Sequence, residues 1–180
     1  VTIYLLGLRG SGKTTAGRIL ARRRGVLFVD LDDLTPTILG GTTAAETLRT
    51  HGEPEFRRAE RAALDLPLVR SAGVVSLGGG TPTAPGAADE LTRRSLAGDR
   101  LVYLRASAAV LRDRLAATNL ADRPSLTGAG VLEEIEGLLR VRDPIYRALA
   151  QAVVEVDGLT PDQTADRIEG FVGRVETLDG

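Results

Sequence analysis

The strongest constraint on this chain lies in its first fourteen residues. A short β-branched and aliphatic run over 2–6 stops at Gly7, and Gly7-Leu8-Arg9-Gly10-Ser11-Gly12-Lys13-Thr14 then satisfies G-x-x-x-x-G-K-[ST] at every fixed position. Behind it, Ala16, Ile19 and Leu20 follow helical spacing, which predicts a helix over 14–24. Strand, glycine loop and helix in that order make a cradle for phosphate. Glycines let backbone N–H groups come against phosphate oxygens where a Cβ would obstruct, and the helix N-terminus adds its dipole. Lys13 would reach the β- and γ-phosphates as a point charge, and the Thr14 hydroxyl would ligate a Mg²⁺ that bridges them. A bland turn has no need of Lys and Thr at those offsets. The loop alone implies a nucleoside triphosphate and leaves kinase, GTPase, motor and switch open.

Composition narrows the partners. With 180 residues, 43% of them hydrophobic, the chain suits one globular domain with a real core. Its 23 Lys+Arg and 24 Asp+Glu leave a net charge of -1, and only 3% of residues are aromatic, so neither a basic field nor stacking platforms exist for nucleic acid or an acidic membrane. Phosphate binding must therefore be local. No cysteine means no disulfide, thiolate nucleophile or Cys-based zinc site, and His51 is the only histidine. Apolar runs are far shorter than the roughly 18 to 20 residues of a membrane span, and no signal-like segment opens the chain. A cytoplasmic monomer is expected.

Along the chain, strands are expected at 25–29, 73–77, 101–104 and 152–156, and helices at 44–50, 55–69, 87–96, 108–117, 131–149 and 161–172. This alternation argues for a five-stranded parallel central sheet in a three-layer α/β/α sandwich, because each parallel connection needs a crossover long enough for a helix. No repeat or interdomain linker interrupts it, so 1–180 reads as a single domain. The least regular piece, 118–130, carries Pro124, Gly128 and Gly130 and reads as a mobile flap.

Several residues could receive the phosphate or hold its acceptor. Asp30 and Asp32 stand at i and i+2 at a strand end, so their carboxylates share a direction if strand geometry continues that far. One could hold Mg²⁺ through water and the other could orient or deprotonate an acceptor hydroxyl. Asp33 fits a helix N-cap better. Arg57 and Glu60, at i and i+3, form either a surface ion pair or a guanidinium held as a fork for a substrate carboxylate. Three successive glycines, 78–80, follow a buried strand and suggest close approach of a ligand to the main chain, although a flexible connection is the alternative. Arg123 beside Pro124, and Arg142 near Pro144 and Tyr146, have no motif strength of their own.

Taken in order, these residues resemble the shikimate kinases, small single-domain kinases with the P-loop NTPase fold. The resemblance rests on 7–15 with Gly17 and Leu20-Ala21, Asp30-x-Asp32, Gly52-Glu53-x-x-Phe56-Arg57-x-x-Glu60, the glycines 78–80, Arg123-Pro124, and Arg142-x-Pro144-x-Tyr146. The first motif is generic, and the ordered set is highly specific. The resemblance implies that Gly10, Ser11, Gly12, Lys13, Thr14 and Thr15 bind ATP, with Thr14 and Asp30 serving Mg²⁺. It implies that Asp32 binds the shikimate hydroxyls as candidate base, that Arg57 and Arg142 clamp the carboxylate, and that Gly78, Gly79 and Gly80 line the pocket. The substrate segment would be about 31–62. Arg123 would enter from a lid over 118–130 and, with Lys13 and Asp32, complete the catalytic set. The implied reaction is transfer of the γ-phosphoryl of ATP to the 3-hydroxyl of shikimate, a step towards chorismate and the aromatic amino acids. Its rivals are a related hydroxy-acid kinase such as a gluconate kinase, and a regulatory module that binds ATP or shikimate without turnover.

Departures from the pattern are specific. A Thr commonly separates the two aspartates in the family and an acidic residue follows; here Leu31, Thr35 and Pro36 occupy that stretch and reshape the start of the substrate helix. The arginine that lies under adenine precedes Arg-Pro by a shorter interval in the family, so Arg114 takes that place only if the lid carries a small insertion.

Overall fold

A computed structural model describes residues 1–117 and 134–176. Five strands, β1 (Ile3–Leu6), β2 (Phe28–Asp30), β3 (Val74–Ser76), β4 (Arg100–Arg105) and β5 (Ala152–Glu155), form one parallel sheet in the order β2-β3-β1-β4-β5. All four residues of β1 are buried, as are the three of β3, which is why neither shows an alternation of apolar and exposed polar positions. Fully burying each such Leu, Ile or Val contributes about 1.5 to 3 kcal/mol. The sheet is flanked by α1 (Lys13–Arg24), α2 (Leu31–Ile38), α3 (Ala44–His51), α4 (Glu53–Ala63), α5 (Pro67–Arg70), α6 (Ala87–Leu96), α7 (Ala108–Ala116), α8 (Glu134–Leu149) and α9 (Pro161–Glu176). α1 lies against α9, and α8 touches α6 and α7. No helix among the described residues is long and apolar enough to cross a membrane.

Strand order reverses around β1, whose neighbours are β3 and β4. Chain connections leave in opposite directions there and open a crevice beyond the strands' C-terminal ends, the usual ligand position in such sheets. The glycine loop after β1 sits in that crevice.

Three local features differ from the sequence reading. β2 begins at Phe28, not at 25, because Gly25 in the left-handed region (φ 64°) closes α1 and Val26 still bonds back to the Ala21 carbonyl. The stretch expected as one helix over 55–69 is two: α4 starts earlier, at Glu53, and Pro67 forces Leu66 into an extended conformation that separates α4 from α5. α2 begins three residues earlier than an N-cap at Asp33 would put it. It starts directly after β2, with Asp30 as its N-cap.

Candidate active site

In the phosphate loop, Gly7, Gly10 and Gly12 have φ of 146°, 85° and 94°, values that disfavour any other residue. Gly12 caps α1, so the helix N-terminus faces the loop. Lys13 is buried and donates from Nζ to the carbonyls of Gly7 at 2.9 Å and Leu8 at 3.1 Å. Burial pushes its pKa down, and the carboxylates of Asp32 and Asp30 push the other way. Ser11 Oγ is buried without a hydrogen-bond partner among the described residues. Thr14 Oγ1 donates to Asp30 Oδ2 at 2.6 Å, while Thr15 lies exposed on the rim. Arg114, from α7, donates to the Gly10 carbonyl at 3.2 Å and to Val156 O at 3.4 Å, bracing the loop from outside.

The two aspartates are not on one strand face. Asp30 ends β2 and its Oδ1 accepts the Asp32 N–H at 3.1 Å, while Asp32 belongs to the first turn of α2. Strand geometry stops at the cap, which turns Asp32 into the crevice by helix rather than by pleat. The N-cap is thus Asp30, not Asp33. Asp32 is open to solvent, yet protein surrounds much of it, and this desolvation raises its pKa against the pull of Lys13.

Opposite the loop, Arg57 and Glu60 of α4 form a pair at 2.5 Å with Glu60 only 2% exposed. Burial of Glu60 rules out a plain surface ion pair. Arg57 also donates through Nη2 to Glu53 at 2.9 Å. Burial raises the Glu60 pKa, opposed by Arg57 and by the Thr81 hydroxyl. Arg142 of α8, also buried, donates to the Gly79 carbonyl at 3.0 Å, and the same oxygen accepts the Tyr146 hydroxyl. Tyr146 packs on Tyr103 with ring centroids 5.0 Å apart.

None of the glycines 78–80 has positive φ. Gly78 and Gly80 are needed for space, and the groups that approach are the chain's own side chains. A Cβ at Gly78 would stand 2.6 Å from Glu60 Oε1 and 2.7 Å from Asp32 Oδ1, and one at Gly80 would fall on the Arg57 guanidinium.

The phosphate loop, Asp30, Asp32, Arg57, Gly79, Gly80, Arg114 and Arg142 all line one cleft of about 820 Å³. Gly78 lies behind that lining. Arg123 and the segment 118–130 fall within 118–133, outside the described residues. The cleft also includes groups the sequence reading did not nominate, notably Thr43 and Leu48 of the α3 region and Pro161 at the start of α9. A signal for the first existed: Thr43-x-x-Glu46 is a capping box, and Thr43 Oγ1 does accept the Glu46 N–H at 3.2 Å.

A thiol- or histidine-rich metal cage is absent, since no group of three or more His, Cys, Asp or Glu among the described residues could hold a metal ion. The adjacent oxygens of Thr14 and Asp30 are instead the hard donors that suit Mg²⁺ when substrate phosphates supply the rest.

Comparison with known proteins agrees with this layout. The shikimate kinase family model matches residues 9–172. A shikimate kinase of Frankia casuarinae is 41% identical over 172 residues, covering 95% of this chain and 72% of its own. One of Mycobacterium ulcerans is 40% identical over 157 residues, covering 87% and 81%. The solved structure of shikimate kinase from Acinetobacter baumannii in complex with shikimate superposes with a TM-score of 0.84 at 30% identity, covering 95% of this chain and 92% of that one. With the five-stranded parallel sheet, the phosphate loop at its switch point and a family match spanning nearly the whole length, the chain belongs to the shikimate kinase family, ATP-dependent kinases among the transferases.

Proposed function

We propose that this enzyme transfers the γ-phosphoryl of ATP to the 3-hydroxyl of shikimate, giving shikimate 3-phosphate and ADP. The observation that carries the reading is the pair of guanidiniums, Arg142 buried and Arg57 largely shielded, brought from separate helices onto one glycine segment and facing the cleft across from Lys13 and Asp32. An acceptor with a carboxylate at one end and a hydroxyl at the other fits between them. Arg57 and Arg142 bind the carboxylate, for which a planar fork is better suited than an ammonium. Asp32 accepts the hydroxyl proton as the oxygen attacks the γ-phosphorus, and its raised pKa makes it a better base than an ordinary carboxylate.

The loop amides of Gly10, Ser11 and Gly12, with Lys13, Thr14 and Thr15, hold the phosphates of ATP. Lys13 leaves the Gly7 and Leu8 carbonyls to follow the charge that moves to the leaving ADP. Arg114 lies beside the loop at the nucleotide end. Mg²⁺, held by Thr14 and through water by Asp30, would neutralise charge shared between the phosphates. Arg123, outside the described residues, is assigned neutralisation of the transferring group on its motif alone. Action as a cytoplasmic monomer belongs to the same proposal, and sedimentation would check the second half of it.

The test is ADP release with MgATP, comparing shikimate, quinate, gluconate and nucleoside monophosphates as acceptors. Stimulation by shikimate alone is the expected result. Stimulation by gluconate instead would transfer the site to another hydroxy acid. ATP binding with no stimulation by any acceptor would make this a binding module.

A further inference from the structure

Thr81 follows the glycine run directly and begins the short 3₁₀ turn Thr81–Thr83. It is fully buried, and its Oγ1 donates to Glu60 Oε1 at 3.0 Å. The other Glu60 oxygen, Oε2, takes Arg57 Nη1 at 2.5 Å. A buried carboxylate is costly unless both oxygens are satisfied, so Thr81 and Arg57 complete Glu60 between them. The second anchor of Arg57, Glu53, is 52% exposed and screened by solvent, which leaves the Glu60 contact as the one that holds the guanidinium firmly.

The neighbouring glycines serve the same arrangement. A side chain at 78 would stand 2.9 Å from Thr81 Oγ1 and 2.6 Å from Glu60 Oε1, forcing that bond apart. At 80 it would displace Arg57. Gly78 thus makes room for the Thr81–Glu60 bond, Gly80 makes room for the guanidinium, and Thr81 supplies the donor.

We propose that Thr81 is a positioning residue for acceptor recognition: its hydroxyl fixes the Glu60 carboxylate, and Glu60 holds the Arg57 guanidinium where the acceptor's carboxylate binds. The proposal rests on the reading of Arg57 as a carboxylate ligand. It also carries a pH signature. Glu60 is faced by Arg57 on its own helix, by Asp32 of α2, by Thr81 after β3 and by Tyr146 of α8, with Arg142 on that same helix bonded to Gly79. The Thr81 hydrogen bond favours the charged carboxylate, so its loss lets Glu60 take up a proton at higher pH and release Arg57 sooner.

The experiment measures KM for shikimate, KM for ATP and kcat across pH for Thr81→Val, Thr81→Ala, Thr81→Ser and Arg57→Ala. Loss of the hydroxyl in Val and Ala is expected to raise the shikimate KM about tenfold, with kcat and the ATP KM changed less than about twofold, and Ser to restore the original values. In Val and Ala the acid-side rise in shikimate KM is expected to move up by about one pH unit. If Arg57→Ala raises the shikimate KM while Val and Ala leave it unchanged, the Thr81 proposal fails and the reading of Arg57 stands. If Arg57→Ala itself leaves that KM unchanged, the underlying reading fails. If Ser behaves like Val, or if kcat and the ATP KM deteriorate together with the shikimate KM, Thr81 is only packing and the proposal is overturned. The alanine variant, smaller than the native residue, covers the case in which the valine variant does not fold.

Discussion

The phosphate loop and the acceptor clamp face each other across the cleft, and they are assembled in opposite ways. Most of what shapes the loop comes from consecutive residues: positive-φ glycines at 7, 10 and 12, Lys13 turned back onto its own loop carbonyls, and Thr14 at the first turn of α1, with Arg114 bracing it from outside. The clamp draws Asp32, Arg57 with Glu60, the glycines 78–80, and Arg142 from four stretches of chain. Backbone conformation makes the first, so it tolerates little change of residue type but depends little on distant packing. Burial and close approach make the second, so its geometry depends on whatever holds α4 and α8 against the glycine segment.

Breaking the loop should give the largest effect. Lys13→Ala is expected to lower kcat by about a thousandfold, because a charge aimed at the moving phosphate is lost, and single-turnover kinetics would register it. Should the loss fall in KM for shikimate instead, the division between the two regions is wrong. Asp32→Asn is next, with kcat down by several hundredfold, on the order expected for a general base. Its pH profile has a definite sign. Protonated Asp32 cannot accept the hydroxyl proton, so kcat/KM falls as pH drops through its raised pKa, at a higher pH than an ordinary carboxylate would give. The asparagine variant should lose that limb.

Gly80→Ala sharpens the comparison, since it adds one methyl to the clamp where Arg57 lies. The shikimate KM should rise about thirtyfold with the ATP KM unchanged, the pattern of a lost binding contact rather than a lost transition-state contact. A comparable rise in the ATP KM would show that the clamp and the loop are one mechanical unit.

The smallest effect lies behind the clamp. Arg94 of α6 donates to Glu90 at 2.7 Å, to the Leu64 carbonyl just after α4 at 2.6 Å, and to the Tyr4 hydroxyl, tying the far end of α4 to α6 and β1. Hydrogen bonds from Arg93, opposed by burial and aided by Arg94, hold the Glu90 pKa down at about 2. A depressed carboxylate pKa contributes stability above its unfolded value near 4.5 that is lost as pH falls towards about 2. Glu90→Gln should therefore cost about 2 kcal/mol at neutral pH, discounted for the exposure of Arg93, and flatten the fall in Tm over that acid range.

How far the sequence could be read follows the same division. Alternating strand and helix patterns anticipated all five strands, the central β1, β3 and β4 most clearly because they are buried on both faces. The start of α2 is displaced in the sequence reading, to Asp33, because its true cap, Asp30, also ends β2 and reads as one more acid at a strand end. The apolar period over 55–69 carries through Pro67 and so predicts one continuous helix; the break follows from the proline's demand on Leu66. Arg123 and its segment lie outside the described residues, and the motif is the whole of the case for it.

By itself the sequence determined the phosphate loop, the layered parallel architecture and the ordered set of motifs. Those depend on backbone freedom at particular glycines and on periodic burial, both local properties of the chain. Only the tertiary structure decided that Glu60 is buried with Arg57 largely shielded above it, that Gly78 and Gly80 make room for Glu60, Asp32 and Arg57, and that Thr81 completes the carboxylate. Spacing along a helix sets which side chains are neighbours. Whether water still reaches them is set by the elements that fold over them from elsewhere in the chain.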